Sequence, residues 1–267
     1  PLIIYGVTAA VSVKAIFLGG IIPGFIRVAM VGGWAVWQGK VQNVKRHKLD
    51  FKELIKSILD SKWEFVIPFF ILFGIFGGFT TLVETAAMTV VYVFIVEVFI
   101  YKDLNWQDMR KVILDCSTLI GGVLIILGVA MGLTSYLVDA QIPLKLLAWV
   151  KTAIDSKIVF LLLLNLFLLA VGCMMDIFSA IIIVVPLITP LGAYFGIDPV
   201  HLAIIFIANL ELGFLTPPVG MNLFLSAYRF EENMPTIYKS TLPFFLVMLL
   251  SVFAITYIPI LSTWPGN

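Results

Sequence analysis

The sequence predicts an all-α, multi-pass membrane protein with broken helices, and three observations carry that prediction. Of 267 residues, 61% are hydrophobic and only 12% charged, with a mean hydropathy of +1.09. A soluble domain cannot bury that much apolar surface, whereas several bilayer spans can. Between residues 158 and 230 the apolar runs are each shorter than a full span or nearly so, although a hydrocarbon core of about 30 Å calls for about 20 helical residues. One of them is followed by "FLTPPVGMN", residues 214–222, where two adjacent prolines interrupt what otherwise reads as membrane helix.

Composition also excludes classes. A net charge of +1, with no basic patch interleaved with aromatics, gives no footprint for nucleic acid. Cys116 and Cys173 lie in apolar runs without CxxC spacing and read as small packing residues. His47, in a basic loop, and His201, near a helix start, have no partners at metal-ligand spacing. The chain begins at Pro1 without a basic leader, so its first apolar run does not read as a signal peptide. It reads instead as the continuation of a longer chain whose N-terminal part is missing.

The elements follow in order. Residues 1–10 end one helix, and 15–37 form a span closing on "WAVWQ". After the basic loop "GKVQNVKRHKLD", the stretch "DFKELIKSILDSKW" places Leu54, Ile55, Ile58 and Leu59 on one face, which suits an interfacial helix. Two short spans, 63–80 and 84–101, flank "TTLVE", where Thr81 and Glu84 fit a capping box. The polar segment "YKDLNWQDMRK" leads to a span at 112–134, and a second amphipathic stretch covers 142–155. Four short pieces come next, 158–171, 177–195, 199–213 and 219–230. A connector at 231–241 and a last span at 242–262 complete the chain.

Lysine and arginine set an orientation. Loops 38–62, 101–111 and 229–241 fall on one side by alternation and hold twelve of the 17 Lys and Arg, which places them in the cytoplasm and the C-terminus in the periplasm. A weak internal repeat appears on sliding the chain by about 220 residues, an offset that lays Pro1 on Met221 and Pro23 on Pro243. An odd number of crossings between the copies makes them inverted, as in many secondary transporters.

The polar residues inside the apolar runs carry the chemistry. Pro217 and Pro218 remove two backbone donors and free carbonyls around Gly213, Phe214 and Leu215, which hydrocarbon cannot satisfy. Thr216 offers a hydroxyl and Asn222 an amide, while Gly213 and Gly220 allow close approach. Oxygens gathered around a break suit a desolvated Na⁺, and the N-terminus of a helix starting near Val219 favours an anion. The competing reading is a proline kink in a packing helix. In "GCMMDIFSA", residues 172–180, Asp176 is an intramembrane acid, open both as an ion-site or gating residue and as a helix N-cap. Glu211 could line the cavity, carry a proton or pair with another subunit. Arg27 could snorkel or pair across an interface.

These residues resemble a known family. The stretch "NLFLLAVGCMMDIFSAIIIVVPLITPLGAYFGIDPVHLAIIFIANLELGFLTPPVGMNLF" closely resembles the C-terminal signature of the large membrane subunit of TRAP (tripartite ATP-independent periplasmic) transporters. "GIFGGFTTLVETAAMTVVYV" resembles the segment opening that family's second repeat. "PLIIYGVTAAVSVKAIFLGGIIPGF" resembles the segment directly after the first repeat's Pro-Pro-Ser break. The resemblance implies an elevator-type fold of two inverted repeats, each with a re-entrant hairpin and a broken helix. On that likeness, 1–14 ends the first broken helix, and 15–62 is a scaffold span with loop and arm helix. Residues 63–156 are scaffold spans with a second arm, 157–230 the transport-domain hairpin and broken helix, and 231–267 a connector and final span.

The resemblance also implies a Na⁺ held jointly by the hairpin tip and the break, with Gly172, Met175, Asp176, Gly213, Thr216, Pro217 and Gly220 as candidate ligands. Pro218, Val219, Asn222, Ser179 and Glu211 are candidates for the substrate side. It implies Na⁺-coupled uptake, across a bacterial inner membrane, of an organic acid such as sialic acid or a C4-dicarboxylate. A periplasmic binding protein delivers the substrate, and a small membrane subunit is a partner. Leu82 stands where the family usually has proline, and Glu211 where it is usually apolar. The rival transport reading is a Na⁺- or H⁺-coupled carrier of the same architecture that needs no binding protein. An intramembrane enzyme would need converging nucleophile, base or metal ligands, which the sequence lacks, and a purely structural subunit would tolerate loss of Thr216, Asn222 and Asp176.

Overall fold

The computed structural model describes residues 1–43, 50–77, 79–218 and 220–264. Among these it is helical, with no strand. Among the described residues five helices are long and apolar enough to cross a membrane: Val13–Val41, Val83–Tyr101, Lys157–Met174, Ile177–Tyr194 and Met234–Tyr257. The chain forms two compact units, one of residues 1–43 and 123–267, the other of residues 44–122.

The larger unit is built around α10 (Pro199–Gly213). Apart from His201, Asn209 and Glu211 its sequence is apolar, and so apolar a helix belongs in an interior. Leu202, Ala203, Ile205, Phe206, Leu210 and Leu212 are indeed buried. Around it pack α2 (Val13–Val41), α8 (Lys157–Met174), α9 (Ile177–Tyr194) and α12 (Met234–Tyr257). The start of α10 is fixed by Asp198, whose carboxylate accepts from the amides of Val200 (2.8 Å) and His201 (3.1 Å), with Pro199 in the first turn. Short α1 (Leu2–Thr8) packs on α2, α9 and α10, and α13 (Ile260–Thr263) caps α2 and α10. Amphipathic α7 (Ile142–Ala153) lies against α9.

The last span starts earlier than expected, at Met234, so most of the connector expected at 231–241 is helix. Pro235 sits in the first turn, where a missing N–H costs nothing. Pro243 is tolerated inside α12, as Pro23 is inside α2. The pairs α1–α2 and α11 (Met221–Phe230)–α12 thus share one plan: a short helix, a connector, and a long helix with an internal proline.

In the second unit, α3 (Phe51–Asp60) exposes every residue but keeps the predicted apolar face, with Asp50 capping the Lys52 amide at 2.9 Å. Then come α4 (Lys62–Phe76) and α5 (Leu82–Ile95), which continues as a π-helical turn, Val96–Tyr101. The expected capping box is present: Thr81 Oγ1 accepts from the Glu84 amide at 3.3 Å, and Glu84 accepts from the Thr81 amide at 2.7 Å. Leu82 is then the first residue of α5, a position that proline and leucine both suit. α6 (Trp106–Asp139) covers the expected 112–134 span and extends it at both ends, so part of the polar segment is helix. His47 lies outside the described residues. Cys173 is buried as expected, whereas Cys116 is exposed rather than packed.

Candidate functional site

The two interruptions singled out from the sequence meet in space. α8 ends at Met174 and α9 begins at Ile177, leaving Met175 and Asp176 as the connection. α10 ends at Gly213 and α11 resumes at Met221. The ends of α8 and α10 touch at Gly172 and Gly213: a Cβ added to Gly213 would stand 2.6 Å from Gly172 Cα and 2.7 Å from Gly172 C. A Cβ on Gly172 would stand 3.1 Å from Gly213 Cα and from the Leu210 carbonyl oxygen. Glycine at 213 lets the two backbones approach this closely, and a methyl at 172 would push its neighbours back by a few tenths of an ångström. A hydrogen bond of 3.4 Å from the Gly220 amide to the Cys173 carbonyl adds the start of α11 to the same junction.

The break is a compact turn. The Leu215 amide donates to Leu212 O (3.0 Å), the Thr216 amide to Gly213 O (2.9 Å), and the Asn222 amide to Phe214 O (3.2 Å). Thr216 Oγ1 donates to Leu212 O at 3.1 Å. The carbonyls of Gly213 and Phe214, expected to be left free, therefore each have one backbone partner and keep a second lone pair. Gly220 has φ of +39°, and a Cβ there would lie 2.8 Å from Thr216 O. The Pro217–Pro218 peptide is cis. Pro217, Pro218 and Asn222 are exposed and Thr216 is half-buried. Val219 lies outside the described residues, and the following helix starts at Met221.

At the other interruption Asp176 is an N-cap. Its Oδ2 accepts from the amides of Phe178 (2.9 Å) and Ser179 (3.0 Å), and its Oδ1 is 2.5 Å from Ser179 Oγ. The capping alternative is thus realised, and Ser179 is drawn into it. Met175 is half-buried against the core. Electrostatically, the C-terminal ends of α8 and α10 bring partial negative charge to the junction, and the N-terminal ends of α9 and α11 bring partial positive charge. Among the described residues no group of three or more His, Cys, Asp or Glu could hold a metal. A cation at this junction would rest on backbone and hydroxyl oxygens.

Glu211 takes a different direction. It pairs with Arg27 of α2, whose Nη2 also reaches Ala208 O at 3.5 Å. Arg27 is 11% exposed and Glu211 58%. The partner is therefore within this chain, and the pair ties α2 to α10 two residues before the break.

Sequence reasoning missed a buried polar seam on α10. Asn209 Nδ2 donates to Asn165 Oδ1 of α8 (2.6 Å), and Thr256 Oγ1 of α12 shares that acceptor (3.1 Å). His201 Nδ1 lies 2.6 Å from Ser262 Oγ, and its Nε2 lies 3.2 Å from Thr256 O. The signal was present: Asn165, His201 and Asn209 are lone polar residues in apolar runs, and such residues need partners.

Comparison with known proteins gives one family across almost the whole chain. Residues 1–261 match the family described as tripartite ATP-independent periplasmic transporter, DctM component. The C4-dicarboxylate TRAP transporter large permease protein DctM of Vibrio cholerae is 31% identical over 284 residues, covering 98% of this chain and 63% of that protein. Its namesake from Pseudomonas aeruginosa is 31% identical over 263 residues, covering 98% and 61%. The isethionate TRAP transporter permease protein DctMQ of Oleidesulfovibrio alaskensis is 30% identical over 261 residues, covering 97% and 41%. The chain spans less than two thirds of the length of these curated relatives. Its two interruptions and the helices around them all fall within the matched region. The chain belongs to the DctM component family of the tripartite ATP-independent periplasmic transporters, a family of transport proteins and not of enzymes.

Proposed function

We propose that this chain is the C-terminal part of a large permease subunit that couples Na⁺ entry to uptake of an organic acid anion across a bacterial inner membrane. The observation that carries the proposal is the junction of four helix ends at Gly172, Gly213 and Gly220. Na⁺ is a hard cation suited to oxygen ligands, and the spare lone pairs of the carbonyls around Gly172, Gly213, Thr216 and Gly220 supply them. Asp176 provides negative charge beside Met175 at the hairpin tip. The N-terminal ends of α9 and α11 face the substrate carboxylate, with Ser179, Asn222, Pro217 and Pro218 around it. Ordering of the junction by Na⁺ then favours the shape that accepts the anion.

In this reading α8–α9 is a re-entrant hairpin, α10–α11 one broken crossing, and the shared plan of α1–α2 and α11–α12 the trace of inverted repeats in an elevator-type transporter. The 38–62 loop faces the cytoplasm and the C-terminus the periplasm. A periplasmic binding protein delivers the substrate, and a small membrane subunit completes the transporter. Two DctM relatives are named for C4-dicarboxylates and one relative for isethionate, so a small carboxylate or sulfonate anion is the substrate class. Glu211, held by Arg27, borders the site rather than lining it.

The test is uptake by the intact transporter in proteoliposomes against a panel of organic anions. A Na⁺ gradient and a proton gradient are applied separately, each with and without the binding protein. Uptake needing both Na⁺ and the binding protein supports the proposal. Uptake driven by protons, or without the binding protein, supports the rival carrier.

A further inference from the structure

α8 and α10 form the most extensive helix pair among the described residues, yet the contact between them is built almost wholly of apolar side chains. Apart from Lys157 at its start, α8 carries a single strongly polar side chain, Asn165. Asn165 meets Asn209 of α10, and the two are 2% and 0% exposed. Among the described residues theirs is the only side-chain hydrogen bond between the two helices. Its direction is fixed. Ile205 O can only accept, and Asn209 Nδ2 lies 2.8 Å from it, so the amino end of Asn209 points there and donates to Asn165 Oδ1 as well. Thr256 Oγ1 of α12, also fully buried, donates to the same oxygen. One acceptor on α8 therefore receives a donor from α10 and a donor from α12.

We propose that Asn165 and Asn209 are positioning residues for the junction: their directed hydrogen bond sets the register of α8 on α10 in which Gly172 meets Gly213. An interface of aliphatic side chains fits nearly as well when one helix slips along the other, whereas a buried polar pair is satisfied in one register. The pair stands close to what it sets. Gly172 follows Asn165 by seven residues, about 10 Å along α8, and Gly213 follows Asn209 by four, about 6 Å along α10. The glycine contact tolerates no slip. A Cβ on Gly213 would stand 2.6 Å from Gly172 Cα, and the flanking Leu212 and Phe214 carry far larger side chains. The inference deepens the Na⁺ reading of the junction and rests on it for its transport readout.

Uptake by the intact transporter in proteoliposomes is measured against Na⁺ for Asn165→Asp, Asn209→Asp and Asn165→Leu/Asn209→Leu. Asn165→Asp keeps an acceptor for both donors and stays near the wild type. Asn209→Asp offers no amino group to Ile205 O or to Asn165 Oδ1, and it needs several-fold more Na⁺ for half-maximal uptake. The double-Leu variant loses both polar groups together, so it unfolds near the wild-type temperature. It still needs several-fold more Na⁺, which a pair serving stability alone would not produce. A second measurement is independent of Na⁺. Gly213→Ala is introduced into the wild type and into the double-Leu variant, and thermal unfolding closes the cycle. With the register released, the added methyl lowers the unfolding temperature less than it does in the wild type. An additive cycle, a wild-type Na⁺ dependence in the double-Leu variant, or the reverse order of the two aspartate variants overturns the inference. Wild-type uptake that ignores Na⁺ would instead fail the transport reading, and the unfolding cycle alone then decides the register.

Discussion

Gly172 and Gly213 cross with their backbones in contact, so the end of α8 and the end of α10 are one structural feature. Everything proposed for the site depends on that crossing, because it brings the connection at Met175 and Asp176 to the turn at Thr216–Pro217.

The two glycines are not equivalent. Gly213→Ala places a methyl under 3.0 Å from backbone atoms that cannot rotate away, whereas Gly172→Ala meets its neighbours at 3.1 Å. Overpacking of this kind costs about 1–3 kcal/mol. We expect Gly213→Ala to lower thermal stability and transport more than Gly172→Ala. Gly24→Ala, where a methyl meets nothing within 4 Å, should be neutral. Thermal unfolding of the three variants in detergent checks the order.

The Arg27–Glu211 pair predicts non-additivity. Glu211→Leu strands a guanidinium that is almost wholly buried, while Arg27→Leu strands a carboxylate that is more than half exposed. The first variant should therefore be the less stable. The double leucine variant should be more stable than the sum of the singles by about 1–3 kcal/mol. Additive single effects would mean that the two side chains do not pair in the assembled transporter.

Asp176 has a capping role that Asn can also fill. Asp176→Asn keeps an acceptor for the amides of Phe178 and Ser179 and removes the charge, whereas Asp176→Ala removes both at a cost of about 1 kcal/mol. If the carboxylate also serves the ion, Asp176→Asn is stable yet needs several-fold more Na⁺ for half-maximal uptake. A wild-type Na⁺ dependence in Asp176→Asn would reduce the residue to a cap.

Much of this architecture was legible because it rests on local rules. The Thr81–Glu84 capping box, the two amphipathic helices and the interruptions at 175–176 and 214–220 follow from residue types at fixed spacing. Boundaries were less legible. The segment 231–241 reads as a connector, yet α12 begins within it at Met234, because Pro235 in the first turn loses no hydrogen bond. Partnerships between distant side chains were not legible from local rules. Glu211 and Arg27 were both visible as charges in apolar runs, but only the packing of α2 on α10 shows that each answers the other. Gly172 and Gly213 were expected near one another only through the family resemblance, which sets the hairpin tip and the break around one ion, and their direct backbone contact comes from three-dimensional packing.

Thr216 is the sharpest probe of a Na⁺ site at the junction. Its hydroxyl faces Leu212 O within the turn and is the side-chain oxygen nearest in sequence to the two prolines. In the intact transporter, reconstituted with its small subunit and supplied with its binding protein, uptake is measured as a function of Na⁺ for the wild type, Thr216→Ser and Thr216→Ala. If the junction holds the ion, Thr216→Ala assembles normally and loses Na⁺-dependent uptake, while Thr216→Ser retains most of it. Unchanged uptake with an unchanged Na⁺ dependence in Thr216→Ala would contradict that assignment.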